Sequence, residues 1–205
     1  MPFSAKRVYF SDCVFDVWEN VYEPAEDSFL FAENLNVQEG ETTLDMGTGC
    51  GILAILAAKK ASAVVVAVEV NPYAVRCARE NAKLNNVQNK IYYVQGDLFT
   101  PLNESFKFDT VLFNAPYLPA EENEADSWIG RAWAGGATGR RVIDRFITKA
   151  PNHLNQTGRV LLMQSTLANL GETLHRFADY GMSARVVAER ALPFFETVTL
   201  IEAKM

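Results

Sequence analysis

Two periods of apolar and polar positions alternate along the middle of the chain. Short apolar runs predict four strands, at Thr42–Met46 and at residues 64–70, 91–94 and 110–113. Helical spacing of apolar residues predicts helices among them and after them, at Ile52–Lys60, Pro72–Leu84 and residues 139–150. This alternation is typical of an α/β fold, a mainly parallel sheet with helices on both faces.

The two ends of the chain depart from this alternation. Residues 8–18 mix aromatic residues and valines around Ser11-Asp12 and predict a hairpin. Residues 24–35 predict a helix that Pro24 opens. Towards the C-terminus the pattern predicts a strand, a helix and two more strands, at residues 159–163, 167–180, 184–190 and 197–203. The link around Pro193 is too short for a helical crossover, so the last two strands should pair antiparallel.

These elements predict a seven-stranded, mainly parallel sheet with a C-terminal antiparallel hairpin. A length of 205 residues fits one domain. We therefore predict a single domain over residues 1–205, with a hairpin and helix extension over about the first 40 residues. Residues 118–138 are polar and then glycine-rich and predict a long loop, which at this length more often carries function.

Composition and charge narrow the class of protein. Hydrophobic residues make up 49% and charged residues 21% of the chain, as in ordinary globular proteins. The longest apolar stretch, residues 61–70, is about half a membrane span, and the N-terminus lacks the layout of a secretory signal. We expect a cytoplasmic protein without a membrane segment. Three dispersed cysteines predict neither disulfides nor an internal metal site, and a net charge of −6 disfavours direct DNA binding.

A glycine-rich turn follows the first central strand. Asp45 precedes Gly47, Gly49 and Gly51, at the carboxyl end of a strand, where open α/β sheets bind ligands. A dinucleotide fingerprint would need a further glycine at position 52, which is Ile52. A carboxylate at Asp45 would repel a pyrophosphate but attract the amino group of a methionine-like moiety. The turn therefore predicts a small nucleoside cofactor rather than NAD or a turn without a ligand.

Acidic residues also end the next two strands. Glu69 is placed to accept hydrogen bonds from both ribose hydroxyls, although it would do the same for NAD. Asp97 is placed to accept from an adenine amino group, with Leu98 offering a backbone amide and an apolar wall. Asp97 alone is more often a turn residue. In series with Asp45 and Glu69, at the ends of consecutive strands, it favours a cofactor site.

The string Asn114-Ala115-Pro116-Tyr117 closes the fourth central strand. Asn and Pro also end strands in ordinary turns, but the glycine turn favours chemistry here. The Asn114 side-chain carbonyl and the Ala115 backbone carbonyl would each accept one N–H of a planar NH₂ group, orienting its nitrogen and stabilising the positive charge that develops. The Tyr117 ring would pack against the plane of the substrate. This pattern predicts methyl transfer to an amide-like nitrogen.

The chain resembles the HemK/PrmC-type methyltransferases of class I translation release factors, and is most similar to their short archaeal and eukaryotic branch. The specific strings are residues 21–28, Ala132-Trp133-Ala134-Gly135-Gly136 and residues 139–146, whereas the glycine turn marks only the class I methyltransferase superfamily. The resemblance implies a Rossmann-like methyltransferase fold and the cofactor S-adenosyl-L-methionine (SAM). The implied substrate is the glutamine amide of the Gly-Gly-Gln loop of a release factor.

Residue by residue, the resemblance implies three groups of site residues. The implied cofactor contacts are Ser28, Asp45, Gly47, Gly49, Glu69, Asp97, Leu98 and Asn114. The implied catalytic residues are Asn114, Pro116 and Tyr117. The implied substrate contacts are Asn114, Ala115 and Tyr117.

The chain departs from the family in two ways. The family motif is Asn-Pro-Pro-Tyr, and Ala115 replaces its first proline, which predicts a less preorganised loop and weaker catalysis. Bacterial members carry an N-terminal helical domain for substrate docking, and the roughly forty residues before the glycine turn are too few for it. Recognition would then come from the N-terminal segment, residues 118–138 or a partner. The short branch is similar to proteins that work with a small zinc-binding activator subunit.

Other interpretations stay open at this point. An adenine-type exocyclic amine of a nucleic acid presents the same planar NH₂ group, and a SAM-binding subunit without turnover would carry the same motifs. Arg140, Arg141 and Arg145 predict a solvated helix face or, less favoured, a docking patch. Trp128, Arg131 and Trp133 would shape the substrate mouth or anchor the long loop. His153 and His175 are assigned no chemistry.

Overall fold

The structure is a computed structural model that describes residues 5–60, 64–193 and 196–205. Within those ranges the strands are β1 Ala5–Phe10, β2 Cys13–Trp18, β3 Thr42–Met46, β4 Val64–Glu69, β5 Ile91–Gln95, β6 Phe108–Asn114, β7 Leu154–Ser165, β8 Ser183–Ala191 and β9 Thr197–Lys204. The α-helices there are α1 Glu26–Glu33, α2 Ile52–Lys60, α3 Pro72–Leu84, α4 Trp128–Trp133, α5 Arg141–Lys149 and α6 Leu170–Asp179.

Seven of the strands form one sheet in the order β5-β4-β3-β6-β7-β9-β8. The first five run parallel, and β9 pairs antiparallel with both β7 and β8. Helices α1, α2 and α3 contact one another in turn, and α5 contacts α6. The predicted α/β fold, with its mainly parallel sheet and C-terminal antiparallel hairpin, is confirmed. Strand order reverses between β3 and β6, which are hydrogen-bonded neighbours.

Local sequence explains the central elements. The valine-rich β4 is buried along most of its length, as expected of a strand covered on both faces. Ile52 to Ala58 of α2 are all buried, so this helix is apolar on every side. At the start of α3 the Asn71 side chain accepts a hydrogen bond from the Tyr73 N–H at 2.9 Å, and Pro72 occupies the first turn.

The predicted loop over residues 118–138 is wrong in detail, because this segment carries a 3₁₀ helix at Glu122–Ala125 and then α4. The 3₁₀ helix is held by a capping box between Glu121 and Glu124, and α4 by the Ser127 side chain, which accepts from the Gly130 N–H at 2.9 Å. These caps are too short-range to appear as apolar periodicity. Strand β7 also begins five residues before the predicted start at Arg159, beyond an irregularity in its pairing with β6.

The predicted N-terminal hairpin is present, with β1 and β2 joined at Ser11 and forming a separate two-stranded sheet. It packs through β2 against α3. Of the apolar stretch at residues 61–70, positions 61–63 lie outside the described residues. Within the described part of the chain, no helix has the length and apolar character needed to cross a bilayer.

Candidate active site

A cavity of about 860 Å³ opens where the strand order reverses. Phe113 pairs with Met46, so the glycine turn after β3 and Asn114 at the end of β6 lie side by side. Every site residue that the sequence predicts lines this cavity: Ser28, Asp45, Gly47, Gly49, Glu69, Asp97, Leu98, Asn114, Ala115, Pro116 and Tyr117. Parallel strands bring these carboxyl ends to one edge of the sheet, which is why residues so distant in sequence meet.

The glycine turn has the backbone that its composition predicts. Gly47 and Gly49 both have positive φ angles, 67° and 57°. The Gly47 N–H donates to the Val68 carbonyl at 2.8 Å, and the Gly49 N–H donates to Glu69 Oε2 at 3.0 Å. A Cβ atom on Gly49 would meet no protein atom within 4 Å, so it would project into open space beside the cavity wall. The turn therefore leaves room for a ligand to approach its backbone closely.

Asp45 is a buried carboxyl on the floor of this turn. Its Oδ2 atom accepts hydrogen bonds from Thr48 Oγ1 at 2.6 Å and from the Ala54 N–H at 3.1 Å. Burial raises the pKa of Asp45 to about 7, against the opposing effect of these two hydrogen bonds. Burial also raises the pKa of Glu69. Two buried acids at neighbouring strand ends suit a ligand that carries a cation and hydroxyl donors.

Asp97 differs from Asp45 and Glu69 because it is exposed and forms an ion pair. Its Oδ2 atom accepts a hydrogen bond from Arg145 Nη2 of α5 at 2.6 Å, and both side chains are about half exposed. An exposed ion pair of this kind contributes little stability, so it opens at low cost. Leu98 has a φ of 49°, a backbone conformation that leucine rarely adopts. The predicted adenine acceptor therefore has a competing partner that sequence alone does not reveal.

Asn114 is held in one orientation by two neighbours from α1. Its Nδ2 atom donates to Asp27 Oδ2 at 3.1 Å and to Ser28 Oγ at 3.2 Å. A carboxylate accepts hydrogen bonds and does not donate them, so the NH₂ end of the amide must face Asp27. The carbonyl end, Oδ1, is buried and has no hydrogen-bond partner among the described residues. A buried acceptor without a partner is costly, and is a strong sign that a ligand donates to it.

Asp27 is the functional residue that the sequence analysis missed. It lies in the first turn of α1 and also accepts from the Ser28 N–H at 2.6 Å and from the Tyr117 hydroxyl at 3.2 Å. The Tyr22 hydroxyl lies 3.4 Å from Asp27 Oδ1. Tyr117 is largely buried, and its hydroxyl is engaged in this contact. The signal was present in the string at residues 21–28, which places an acid in the first helical turn beside the only serine of that string.

Ala115, at the position where the family has proline, is held by a bond that proline cannot make. Its N–H donates to the Met163 carbonyl at 3.3 Å, which extends the pairing of β6 with β7 by one residue. The expected loss of preorganisation stays a prediction. The ladder bond opposes that loss by tying the loop to the sheet.

The segment at Ala132–Gly136 pairs with the chain that follows Tyr117. The Leu118 N–H donates to the Trp133 carbonyl at 3.0 Å, and the Gly135 N–H donates back to the Leu118 carbonyl at 2.8 Å. Ala120 donates in the same way to Gly136 at 3.0 Å. The segment thus supports the wall of the cavity behind Tyr117. Trp128, Arg131 and Trp133 line the cavity, and the Arg131 guanidinium lies 4.9 Å from the centroid of the Trp128 ring.

Gly139 should be intolerant of substitution. A Cβ atom there would overlap the Tyr117 carbonyl oxygen, and its φ is 71°. We expect Gly139→Ala to lower the free energy of unfolding by about 2 to 4 kcal/mol, because backbone strain and a backbone clash add. Gly181→Ala is the matched control, since Gly181 has a φ of 77° and no atom within 4 Å of a Cβ. Chemical denaturation measures both free energies of unfolding. Equal decreases in Gly139→Ala and Gly181→Ala would show that the close contact with the Tyr117 carbonyl adds nothing to the loss of stability.

Arg140 is not part of a solvated helix face, which corrects that prediction. Its side chain is buried, and Nη1 donates to the carbonyls of Ala168 and Asn169 and to Thr173 Oγ1, while Nη2 pairs with Asp144 at 2.7 Å. These contacts anchor the start of α5 to the start of α6. Arg141 and Arg145 are exposed, as predicted. The three cysteines are buried and free, so none forms a disulfide.

A doubly wound sheet with β9 inserted antiparallel beside β7, and with a glycine turn and acids at successive strand ends, defines a class I SAM-dependent methyltransferase. A family model described as ribosomal protein L11 methyltransferase matches residues 27–115. A Methanocaldococcus jannaschii protein that carries the name protein N5-glutamine methyltransferase is 43% identical over 181 residues, 88% of this chain and 90% of that protein. The chain belongs to the HemK/PrmC-type protein glutamine methyltransferases, and its cofactor is SAM.

Two further comparisons extend this likeness to eukaryotes. The human methyltransferase HEMK2 is 32% identical over 183 residues, 84% of this chain and 85% of that protein. Among solved structures, the Mtq2–Trm112 complex of E. cuniculi, described as responsible for methylation of the eRF1 translation termination factor, matches with a TM-score of 0.70 at 27% identity. That match covers 90% of this chain and 98% of the other.

Proposed function

We propose that this enzyme methylates the side-chain nitrogen of a glutamine in a protein, and that the glutamine belongs to the Gly-Gly-Gln loop of a class I translation release factor. The observation that carries the proposal is the Asn114 Oδ1 atom, which is buried with no partner among the residues the structure describes, on a side chain that lines the cavity. Relatives named as glutamine methyltransferases support the choice of acceptor. The described relative that methylates eRF1 supports the choice of protein.

The role of Asn114 follows from the chemistry of an amide. An amide nitrogen is a poor nucleophile because its lone pair is delocalised into the carbonyl. Asn114 Oδ1 accepts one N–H of the glutamine side chain, and the Ala115 backbone carbonyl accepts the other, which fixes the direction of the nitrogen. Both acceptors carry partial negative charge and stabilise the positive charge that develops on nitrogen. The alkylated nitrogen is acidic enough to lose a proton to water, so no strong base is required.

The cofactor site uses the ends of three consecutive strands. Asp45 attracts the ammonium group of SAM, Glu69 accepts from its ribose hydroxyls, and Asp97 with Leu98 bounds the adenine. Ser28 and the glycine turn complete the enclosure. When bound, SAM supplies an electrophilic methyl group on a sulfonium. For Asp97 to accept from adenine, its ion pair with Arg145 must open.

We expect the affinity for SAM to rise as the pH is raised to about 7. Burial raises the pKa of Asp45 to about 7, so below that pH the carboxyl of the ligand-free protein is mostly protonated and attracts an ammonium weakly. Below the pKa each pH unit should weaken binding by up to about tenfold, since one pKa unit is worth about 1.36 kcal/mol. Calorimetry across neutral pH measures this. Asp45→Asn should bind weakly with a flatter profile, and an unchanged profile would refute the assignment.

The free energy of unfolding should change with pH in the opposite direction to the affinity for SAM. An unfolded aspartic acid titrates near pH 3.9, so between about pH 4 and pH 7 the folded protein holds a proton on Asp45 that the unfolded chain has lost. The free energy of unfolding of the ligand-free protein therefore falls as the pH rises through that window. The raised pKa of Glu69 acts in the same direction.

The enzyme is proposed to work in the cytoplasm, where release factors act, and with a small zinc-binding activator subunit. The described complex of the relative Mtq2 with Trm112 supports a small partner. Substrate docking would then use the partner together with the N-terminal segment and the wall formed by residues 118–138. The acidic total charge does not favour docking to bare nucleic acid.

A tritium-transfer assay tests the function. Labelled SAM is incubated with the enzyme and a purified release factor, with and without a candidate small zinc-binding subunit. We expect label in the release factor, and none when the glutamine of its Gly-Gly-Gln loop is replaced by alanine. DNA and RNA oligomers form a parallel arm. Label in the oligomers but not in the release factor would favour an adenine-type amine, and SAM binding with no transfer to any acceptor would favour a non-catalytic subunit.

A further inference from the structure

Asn81 in the last turn of α3 and Asn85 at its C-terminal cap hold the N-terminal hairpin through side-chain amides that bond to the backbone of β2. Asn85 Oδ1 accepts from the Val14 N–H at 3.0 Å, and its Nδ2 donates to the Val14 carbonyl at 2.7 Å. Asn81 binds Asp16 in the same way: its Oδ1 accepts from the Asp16 N–H at 2.8 Å, and its Nδ2 donates to the Asp16 carbonyl at 3.1 Å. Both side chains are buried. One side-chain amide thus satisfies both backbone groups of one residue of β2 at each position.

Asn81 differs from Asn85 because it also reaches the glycine turn. Its Nδ2 atom donates to the Cys50 carbonyl at 2.9 Å. Cys50 lies between Gly49 and Gly51 and lines the cavity. The Asn81 amide nitrogen therefore donates one hydrogen bond to the hairpin, at the Asp16 carbonyl, and one to the glycine turn, at the Cys50 carbonyl. The second hydrogen bond from Asn85 Nδ2 goes to the Asn81 backbone carbonyl of α3, at 2.8 Å, and not to the glycine turn.

The Cys50 carbonyl needs this donor because Cys50 lies before Ile52, the first residue of α2. The first N–H groups of a helix have no helical acceptor, and in α2 the first helical bond runs from the Ile55 N–H to the Gly51 carbonyl. Here the Ala54 N–H bonds to Asp45 Oδ2 instead, at 3.1 Å. Cys50 is buried, and a buried carbonyl without a partner is costly. Asn81 supplies the partner that the Cys50 carbonyl lacks within the chain around it.

We propose that Asn81 is a positioning residue for the cofactor turn, and that through it the docking of the N-terminal hairpin sets the affinity for SAM. Asn81 fixes the Cys50 carbonyl and so holds the end of the glycine turn in place. The inference rests on the proposed cofactor site over this turn. Because coupling between two sites is reciprocal, SAM should in return tighten the contact between Asn81 and Asp16.

Asn81→Ala and Asn85→Ala form a matched pair that tests the inference. Both remove one two-point clamp on β2, and only Asn81→Ala leaves the Cys50 carbonyl unpaired. By calorimetry we expect the SAM Kd to rise by about tenfold in Asn81→Ala, from the cost of an unsatisfied buried acceptor, and by less than about twofold in Asn85→Ala. Asn81→Asp keeps the acceptor for Asp16 but offers no N–H to Cys50, so it should resemble Asn81→Ala. Equal Kd changes in the two alanine variants would overturn the inference.

A second measurement uses the unmodified protein, in case the Asn81 variants do not fold. Amide hydrogen exchange reports the Asp16 N–H, bonded to Asn81, and the Val14 N–H, bonded to Asn85. Saturating SAM should slow exchange at Asp16 more than at Val14. Equal effects at the two amides would contradict the coupling.

Failure of the cofactor site itself is distinguished by Gly49→Leu. This side chain would enter the open space beside Gly49, and together with the strain of a side chain at a φ of 57° it should abolish SAM binding. If Gly49→Leu binds SAM normally, both the proposed cofactor site and the proposed role of Asn81 are refuted. If Gly49→Leu loses SAM and the asparagine variants behave alike, only the role of Asn81 falls.

Discussion

Asn114→Ala is expected to lower kcat for methyl transfer by about 10²- to 10³-fold, the usual cost of removing one preorganised group that stabilises charge in a transition state. Alanine deletes Oδ1, the proposed acceptor for the amide N–H of the substrate, and deletes Nδ2, which is the partner of Asp27. The loss should appear mainly in kcat, because the positive charge on the substrate nitrogen develops only during reaction. The SAM Kd should change by less than about tenfold, since Asn114 is one of several contacts.

Ser28→Ala is the matched control for Asn114→Ala. It removes one of the two acceptors that hold Nδ2, and the hydroxyl that donates to Asp27 Oδ1 at 3.1 Å, but it keeps Asn114 Oδ1 and the bond from Nδ2 to Asp27. We expect a fall in kcat of only about threefold, because the main partner of Nδ2, Asp27, is kept and the net worth of a hydrogen bond is modest. Initial rates at saturating SAM and release factor measure both variants. Wild-type kcat in Asn114→Ala would remove Asn114 from the chemistry.

Asp27→Asn is expected to give the second largest effect, a fall in kcat of about ten- to hundredfold, the worth of a charge-assisted hydrogen bond. The substitution keeps the shape but replaces an obligate acceptor with an amide that can donate. Asn114 then loses the partner that dictates its orientation, and rotation of its amide would turn NH₂ instead of Oδ1 towards the substrate. The Tyr117 hydroxyl donates to the same oxygen in the wild type, so it would compete with Asn114 for the one acceptor oxygen that asparagine retains.

The neighbouring acid Glu26 gives the charge control for Asp27→Asn. Glu26→Gln removes a charge from the same helical turn, but its side chain is exposed and pairs with Arg190 at 2.9 Å, away from the Asn114 contact. Its kcat should stay within about twofold of wild type, as expected for a surface ion pair. Similar losses in both variants would mean that total charge, not amide orientation, matters at Asp27.

Much of the fold was predictable because its signals are local. The buried valine run of β4 and the capped start of α3 each determine their own structure, and the small number of residues between β8 and β9 requires these strands to pair antiparallel. Residues 118–138 were not predictable at this level, since α4 depends on a cap at Ser127 and on pairing with the chain after Tyr117. Sequence periodicity does not record contacts of either kind.

The candidate site shows the same division. Strand-end position was enough to bring Asp45, Glu69 and Asn114 to one cavity, because parallel strands share an edge. It did not reveal that Asp97 pairs with Arg145, or that Asp27 orients Asn114, since both contacts join distant segments. Arg140 was misjudged for a similar reason, because its partners belong to the start of α6.

The central claim is that Asn114 presents a glutamine amide to the methyl donor. Fragmentation mass spectrometry of a release factor, after incubation with the enzyme, SAM and the candidate partner, tests it most directly. The account predicts one added methyl group on the side-chain nitrogen of the Gly-Gly-Gln glutamine, and its near absence with Asn114→Ala. A methyl group on another residue, or equal modification by Asn114→Ala, would contradict the account.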